Sequence, residues 1–391
     1  MRICCITKDI YAGGAGKSLF VVVAKFAETA NVFVLSKNQS NRELLQKYGV
    51  NYLKINSGFF PFHYLSGARK PLLLNYLAWL ARSISLFSTL SKVRAIEPDI
   101  IILNGFQTLW YAPFLNKQSK VVLFAREILN WQRWDALLAS KILNKYVHCV
   151  IAISENEAAQ LSGITPPVHV VYNSFDGDFT DPPIKNNKSA DEIKVGVFGT
   201  IHRIKGQYLI IDLVKKYLSK VDMLKIKFYI YGGPSKITTR AGGREELIEA
   251  VKNKHLENYI LFPGWVSDTN TEMNKMDIIL RTDTSGCPWG RDIIEAMSNA
   301  KPVVAAGSSQ VFIKQGLTGL LYPPTDIGKM AENIFLLADD PEKRQKIGLA
   351  AYEFARQKFN FETNVQAIIK ILEDLLSNSH HGKESRERGS F

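Results

Sequence analysis

In the stretch CPWGRDIIEAMSNAKPVVAAG, Cys287 to Gly307, Pro288 and Gly290 make a tight turn and Arg291 to Ala300 read as a helix. The helix buries Ile293, Ile294 and Met297, and KPVVA then returns as a β-branched strand. Turn, helix and strand in that order form one crossover of a parallel sheet. Glu295 lies one turn into the helix beside two isoleucines, where a carboxylate needs a purpose. The helix start is a ready anion site, through its free amides and the helix dipole.

Working outward, short β-branched runs alternate with helical segments along the whole chain, which predicts an α/β protein with parallel sheets. In the first half the strands are RICCI near Arg2, NVFVLS near Asn31, DIIIL at Asp99, KVVLF at Lys120, VHCVIAIS at Val147 and VHVVYN at Val168. In the second half they are KVGVFG, KIKFYIYG at Lys225, YILFPG at Tyr259, MDIILR at Met276 and KPVVAA at Lys301. Between the two series, residues 181–191 carry prolines, asparagines and charges with no apolar anchor, as a linker does. The chain therefore divides into a first domain over 1–180, a linker over 181–191 and a second domain over 192–361. A length of 391 residues suits two such cores. Val365, Ile368, Ile369, Leu372 and Leu376 have helical spacing, predicting a helix over 362–376 that packs back on the first domain, capped near Thr363 and Asn364. The polar stretch 377–391 is expected to lack regular structure.

Composition narrows the partners. Cys4, Cys5, Cys149 and Cys287 show no metal-type spacing, so no metal site is expected, and a reducing, cytoplasmic setting fits. The start has no long apolar run of the secretory kind. No window reaches the roughly 18–20 apolar residues of a spanning helix. The formal charge is +12, and nineteen Lys and Arg stand against eleven Asp and Glu before residue 181. Such a basic half suits nucleic acid, an anionic membrane surface or a phosphorylated small molecule; without a zinc finger, RRM or KH signature, nucleic acid is set aside.

In two doubly wound domains the ligand belongs in the crevice between them, at the carboxyl ends of the strands, so the loops there carry the chemistry. The first, KDIYAGGAGKSLF, has Tyr11 where a Walker motif needs glycine. What remains is a glycine-rich turn, Gly14 and Gly16 included, that lets a ligand approach the backbone. After Gly199, the loop TIHRIKG offers Arg203 and Lys205, two cations suited to a diphosphate whose charge grows as a sugar–phosphate bond breaks. Gly264 and Trp265 end FPGW as a slot for a flat base.

The KG loop, the FPGWV-D strand end, PWGRDIIEAMSNAKPVVA and GLTGLLYPP (Gly316 to Pro324) occur in order, and together they resemble the family 4 retaining glycosyltransferases of GT-B fold. The resemblance covers the second domain by motif and the first only by architecture. It implies a nucleotide-diphosphate sugar, expected to be UDP-linked, as co-substrate, with no cofactor and no metal. The donor would bind the second domain and a glycan or lipid-linked acceptor the first, with retained anomeric configuration. By residue, Arg203 and Lys205 resemble the diphosphate cations, although Thr200 stands where arginine is usual. Glu295 resembles the second glutamate of E-x7-E, which binds ribose hydroxyls, and backbone amides around Trp289 to Arg291, in the turn after Pro288 and through Gly290, would face the diphosphate. Cys287 occupies the first glutamate's place, and a thiol is a poor acceptor. Either Asp283 or Ser285 substitutes, the donor sugar differs, or activity is impaired; Asp283 is the preferred substitute.

In the first domain, Arg126 and Glu127 follow the KVVLFA strand and are candidates for the acceptor and the donor sugar. Asn104 and Asn173 hold similar strand-end positions. Residues 58–95 mix aromatics and leucines with Arg69, Lys70, Arg82, Lys92 and Arg94 and no acid. They suit either an interfacial helix on the inner face of an anionic membrane or a core-packed crossover. Two other readings stand beside the transferase: a GT-B epimerase, and a sugar-nucleotide-binding partner protein with little or no activity.

Overall fold

The computed structural model describes residues 1–8, 13–37, 42–64, 73–175, 177, 179, 182, 192–233 and 243–387. They form two compact units, Met1–Asp176 with Phe361–Phe391, and Gly177–Asn360. Apart from Pro182, the expected linker 181–191 lies outside the described residues.

The first unit holds a parallel sheet of β1 (Arg2–Thr7), β2 (Asn31–Ser36), β3 (Asn51–Lys54), β4 (Ile100–Asn104), β5 (Lys120–Ala125), β6 (Cys149–Ala152) and β7 (Val168–Val170). Their order is β3-β2-β1-β4-β5-β6-β7, so strand order reverses beside β1. The central strands are buried on both faces, which is why IIIL and VVLF are unbroken apolar runs. β3, absent from the sequence reading, is a four-residue edge strand with one buried side chain, Tyr52.

The second unit repeats the plan with β8 (Ile193–Phe198), β9 (Ile226–Tyr231), β10 (Ile260–Gly264), β11 (Ile278–Arg281), β12 (Val303–Ala306) and β13 (Leu320–Tyr322). The order is β10-β9-β8-β11-β12-β13, all parallel, with the reversal beside β8. The helix Arg291–Ser298 links β11 to β12 and buries Ile293, Ile294 and Met297. Within GLLYPP, the motif hid the short strand β13.

The last helix, Phe361–Glu387, sets Val365, Ile368 and Leu372 into the same core as Leu19, Val23 and Phe26 of helix Gly13–Phe26. Lys25 pairs with Glu362 at 3.4 Å. The helix begins at Phe361, ahead of the expected caps, and Asn364 instead donates to the Tyr172 carbonyl at 3.2 Å. The stretch expected to be irregular from 377 is helical through Glu387, and residues 388–391 lie outside the described ones. The physical reason is cooperativity. Extending a packed helix costs far less than nucleating one, and Lys, Glu and Arg are good helix formers.

Candidate functional site

The strand-end loops of the second unit enclose a charge cluster built on Asp283. β11 ends at Arg281, and the next residues, Thr282 to Gly286, fold back on the β8 loop. Thr284 N donates to the Ile204 carbonyl at 2.8 Å, and the Thr282 hydroxyl to the Lys205 carbonyl at 2.5 Å. Gly206 permits this approach: its φ is +70°, and an added Cβ would lie 2.0 Å from the Thr282 carbonyl oxygen. The two loops are thereby locked together, and Lys205 Nζ reaches Asp283 Oδ2 at 2.7 Å.

Asp283 is 1% exposed. Arg281 Nη2 approaches Oδ2 at 3.1 Å, and Ser285 donates to Oδ1 through its hydroxyl at 2.5 Å and its amide at 3.1 Å. Burial alone would raise this carboxyl, but Lys205 and Arg281, with hydrogen bonds from Lys205 and Ser285, hold it below the usual aspartate value. Arg281 also grips Asp292 at 2.6 and 2.8 Å and donates to the Cys287 carbonyl at 2.9 Å. Burial works against its charge, yet Asp292 and Asp283 more than offset this and raise it. Cys287 is half-buried, its thiol donates to the Trp289 carbonyl at 3.4 Å, and burial pushes its pKa up despite Arg281. It stands as a neutral thiol beside the cluster. Sequence reasoning expected Asp283 to open toward the space of the missing glutamate. The carboxylate is turned inward and holds Lys205.

Glu295, 5% exposed, accepts from Arg291 Nε at 2.9 Å and from the Thr269 hydroxyl at 2.8 Å. Pro288 and Trp289 are buried, and Trp289 stacks on Phe312 with centroids 4.5 Å apart. A Cβ on Gly290 would meet Asp292 Oδ1 at 2.7 Å and Arg281 Nη1 at 2.8 Å and so press on that ion pair. Arg203 is in the same short turn as Lys205 but diverges from it. Its side chain is 69% exposed, 3.8 Å from Glu246, at a cavity of about 370 Å³ lined by His202, Gln207, Tyr208 and Leu247. Gly199 and Gly264 have φ of +135° and +97°, and Trp265 is 74% exposed. The structure thus brings Lys205, Asp283 and Cys287 together, and Glu295 with Arg291. It leaves Arg203 and Trp265 at the surface.

In the first unit Arg126 is held by amides. It donates to Asn104 Oδ1 and, at 2.8 Å, to Asn173 Oδ1, while Asn104 Nδ2 reaches the Thr7 hydroxyl at 3.1 Å. The two asparagines that had no assigned role therefore seat this arginine at the ends of β1, β4 and β5. Burial lowers Arg126 to about 10, partly opposed by Glu127. Glu127 itself is raised by burial, against the Phe106 amide and Arg126. Gly14 and Gly16 lie in the first turns of helix Gly13–Phe26, and residues 9–12 of that turn lie outside the described ones. Sequence reasoning missed Arg281, Asp292 and Thr269. An arginine closing the apolar run MDIIL was the available signal.

Two Rossmann-like parallel sheets in one chain, each with its polar groups at the carboxyl ends, define the GT-B fold. Residues 192–340, within the second unit, match the family model described as Glycosyl transferases group 1. Among curated proteins, an uncharacterized glycosyltransferase of Methanocaldococcus jannaschii is 25% identical over 202 residues, 50% of this chain and 49% of that one. A D-inositol 3-phosphate glycosyltransferase of Corynebacterium efficiens is 29% identical over 165 residues, 41% and 38% of the two chains. The chain thus spans about half or less of the curated relatives it matches. Anabaena HepE, crystallised with UDP, superposes with a TM-score of 0.77 at 23% identity, covering 96% of this chain and all of that one. Sucrose-phosphate synthase of Thermosynechococcus elongatus gives 0.75 at 19% identity, over 97% of this chain and 100% of that one. At such identities the likeness speaks for the fold.

Proposed function

We propose that the protein transfers a sugar from a nucleotide-diphosphate sugar to a glycan or lipid-linked acceptor, without a metal and with retained anomeric configuration. The observation that carries this reading is Lys205, fixed at the end of β8 by the buried Asp283 that Arg281 also holds. A lysine so placed presents fixed positive charge to a diphosphate. Leaving-group charge is best stabilised by groups that need no rearrangement. Arg203 adds a second, exposed cation, and the amides opening helix Arg291–Ser298 add aligned donors. Glu295 serves the ribose hydroxyls: a carboxylate offers about four acceptor sites, so its bonds to Arg291 and Thr269 can be shared. Trp265, with Gly264, offers a face for the base. Asp283 acts by positioning Lys205, and Cys287 leaves the donor-sugar side uncharged. In the first unit Glu127 would serve the reacting sugar, and Arg126 and the glycine-rich turn the acceptor or donor phosphates.

A uridine donor is supported by HepE, which has been crystallised with UDP and with UDP-glucose. The basic first half supports a place on the inner face of an anionic membrane. A thermal-shift panel of UDP-, GDP- and ADP-sugars tests the donor. One base is expected to raise the melting temperature by several degrees, since a hundredfold excess over Kd adds about 2.7 kcal/mol. A panel that moves nothing would count against any sugar nucleotide. The reading as a binder without turnover is favoured by Cys287 alone, and a protein that binds the donor but never releases the nucleotide would establish it.

A further inference from the structure

The helix Leu73–Ser83 has no buried residue, although it is rich in leucine. Leu73, Leu77 and Leu80 are 74%, 52% and 60% exposed, and Ile84 and Phe87 beyond it 81% and 79%. Within the helix, the spacing of four and three residues puts Leu73, Leu77 and Leu80 on one stripe, and Ile84 and Phe87 extend the exposed apolar surface past its end. The next helix, Leu86–Ile96, does the opposite work and buries Leu86, Leu90, Val93 and Ile96. The sequence stretch that fitted either a membrane or a core thus holds one exposed helix and one packed in the core.

The stripe continues across a second segment. Trp134 and Leu137, at the start of helix Trp134–Tyr146, are more than half exposed, and Trp134 lies 5.9 Å from Tyr76 between ring centroids. A groove of about 570 Å³ joins the two helices, walled by Trp79, Leu80, Phe114 and Leu138 and edged by Lys141 and Lys145. The Trp79 indole N–H is buried there without a hydrogen-bond acceptor. The charges around this face share one sign. Arg82, Arg133, Lys141 and Lys145 are exposed, no acid stands between Glu43 and Glu97, and Asp135 is buried against the His63 amide at 2.6 Å. Among the described residues no helix is long and apolar enough to cross a membrane.

We propose that this face docks on an anionic lipid bilayer, with the leucine stripe, Phe87, Trp134 and Leu137 entering the hydrocarbon boundary and the four cations meeting the headgroups. Apolar side chains on one face with basic residues beside them are what an interfacial helix requires. The proposal rests on the membrane placement given above and moves it from the whole 58–95 segment to two helices, one of them outside that segment.

Flotation of the full chain with mixed phosphatidylglycerol and phosphatidylcholine vesicles tests it, with pure phosphatidylcholine as reference. Wild type is expected to float with the mixed vesicles and to release as salt is raised. Leu77→Ser with Leu80→Ser should lose about tenfold in binding. Lys141→Gln with Lys145→Gln should lose roughly twenty-fivefold at low salt, at about fivefold per lysine. Both pairs are exposed, so melting temperature and UDP binding should be unchanged. Wild type that stays unbound, or a leucine pair that floats as wild type does, would overturn the proposal. So would a wild-type dimer that the leucine pair converts to monomer, which would assign the face to a second copy. Retained sugar-nucleotide binding with failed flotation removes this surface alone, whereas wild type that binds none of the UDP-, GDP- and ADP-sugars removes the transferase reading.

Discussion

Asp283→Ala is expected to cut turnover by about a hundredfold, the scale set by losing one preorganised charge group, while Cys287→Ala stays near wild type. The difference follows from what each side chain holds. Asp283 is shared by Lys205 at 2.7 Å and Arg281 at 3.1 Å, and its removal leaves two cations facing each other over an emptied, buried site. Breaking a buried pair from one side costs about 3–5 kcal/mol, so the variant should also melt at a lower temperature. Cys287 donates one weak bond to a carbonyl and carries no charge at neutral pH. Steady-state rates on the donor identified by thermal shift check the first claim, and near-wild-type rates for both variants would contradict it. The acid side provides a second check. Asp283 is held below its ordinary value of 3.8, so the unfolded chain binds its proton at the higher pH. Its stabilisation is therefore present above about pH 4 and lost as the pH falls through the folded value. The stability gap between wild type and Asp283→Asn should be full at neutral pH and close only under acid conditions, in urea titrations at each pH.

Glu295→Ala is expected to weaken nucleotide-diphosphate binding by about tenfold to a hundredfold, the scale of one or two lost bonds to a charged acceptor. The residue is 5% exposed and stands in a helix that otherwise buries isoleucine and methionine, where a carboxylate without partners would be costly. Arg291 and Thr269 hold it in one place, so its oxygens are set before a ligand arrives. Calorimetric titration with UDP reads the affinity. Glu295→Gln should recover part of it, because the amide oxygen still accepts. Equal affinity in wild type and Glu295→Ala would remove the carboxylate from the donor site.

Much of the architecture was legible because the central strands are apolar on both faces. RICCI, DIIIL, KVVLF and MDIILR cannot be read as half-exposed elements, and each is a strand of a parallel sheet. One edge of each sheet was missed: β3 has four residues with one buried, and β13 has three inside the GLLYPP motif, while the opposite edges β7 and β10 were read as VHVVYN and YILFPG. The candidate site divides in the same way. Glu295 was readable because its local neighbours are apolar, and Lys205 because it ends a strand-to-helix turn. The direction of Asp283 was not, since its partner Lys205 lies 78 residues away and only the Gly206 approach brings the loops together. Arg281 and Asp292 resembled ordinary surface charges, eleven residues apart, until the loop closed them into a pair in which Nη1 donates to both carboxylate oxygens. Arg126 carried no local sign that two asparagines, one 22 and one 47 residues distant, would seat it.

The central claim, that this chain transfers a sugar from a nucleotide donor, is tested most directly by nucleotide release from UDP-sugars in a chelator-containing buffer. The account predicts that wild type frees UDP from at least one of them, faster once a lipid-linked or glycan acceptor is supplied, and that Lys205→Ala is slower by about a hundredfold. Folded protein that binds UDP but frees none from any UDP-, GDP- or ADP-sugar, with or without acceptor, would contradict it and leave a binding protein in its place.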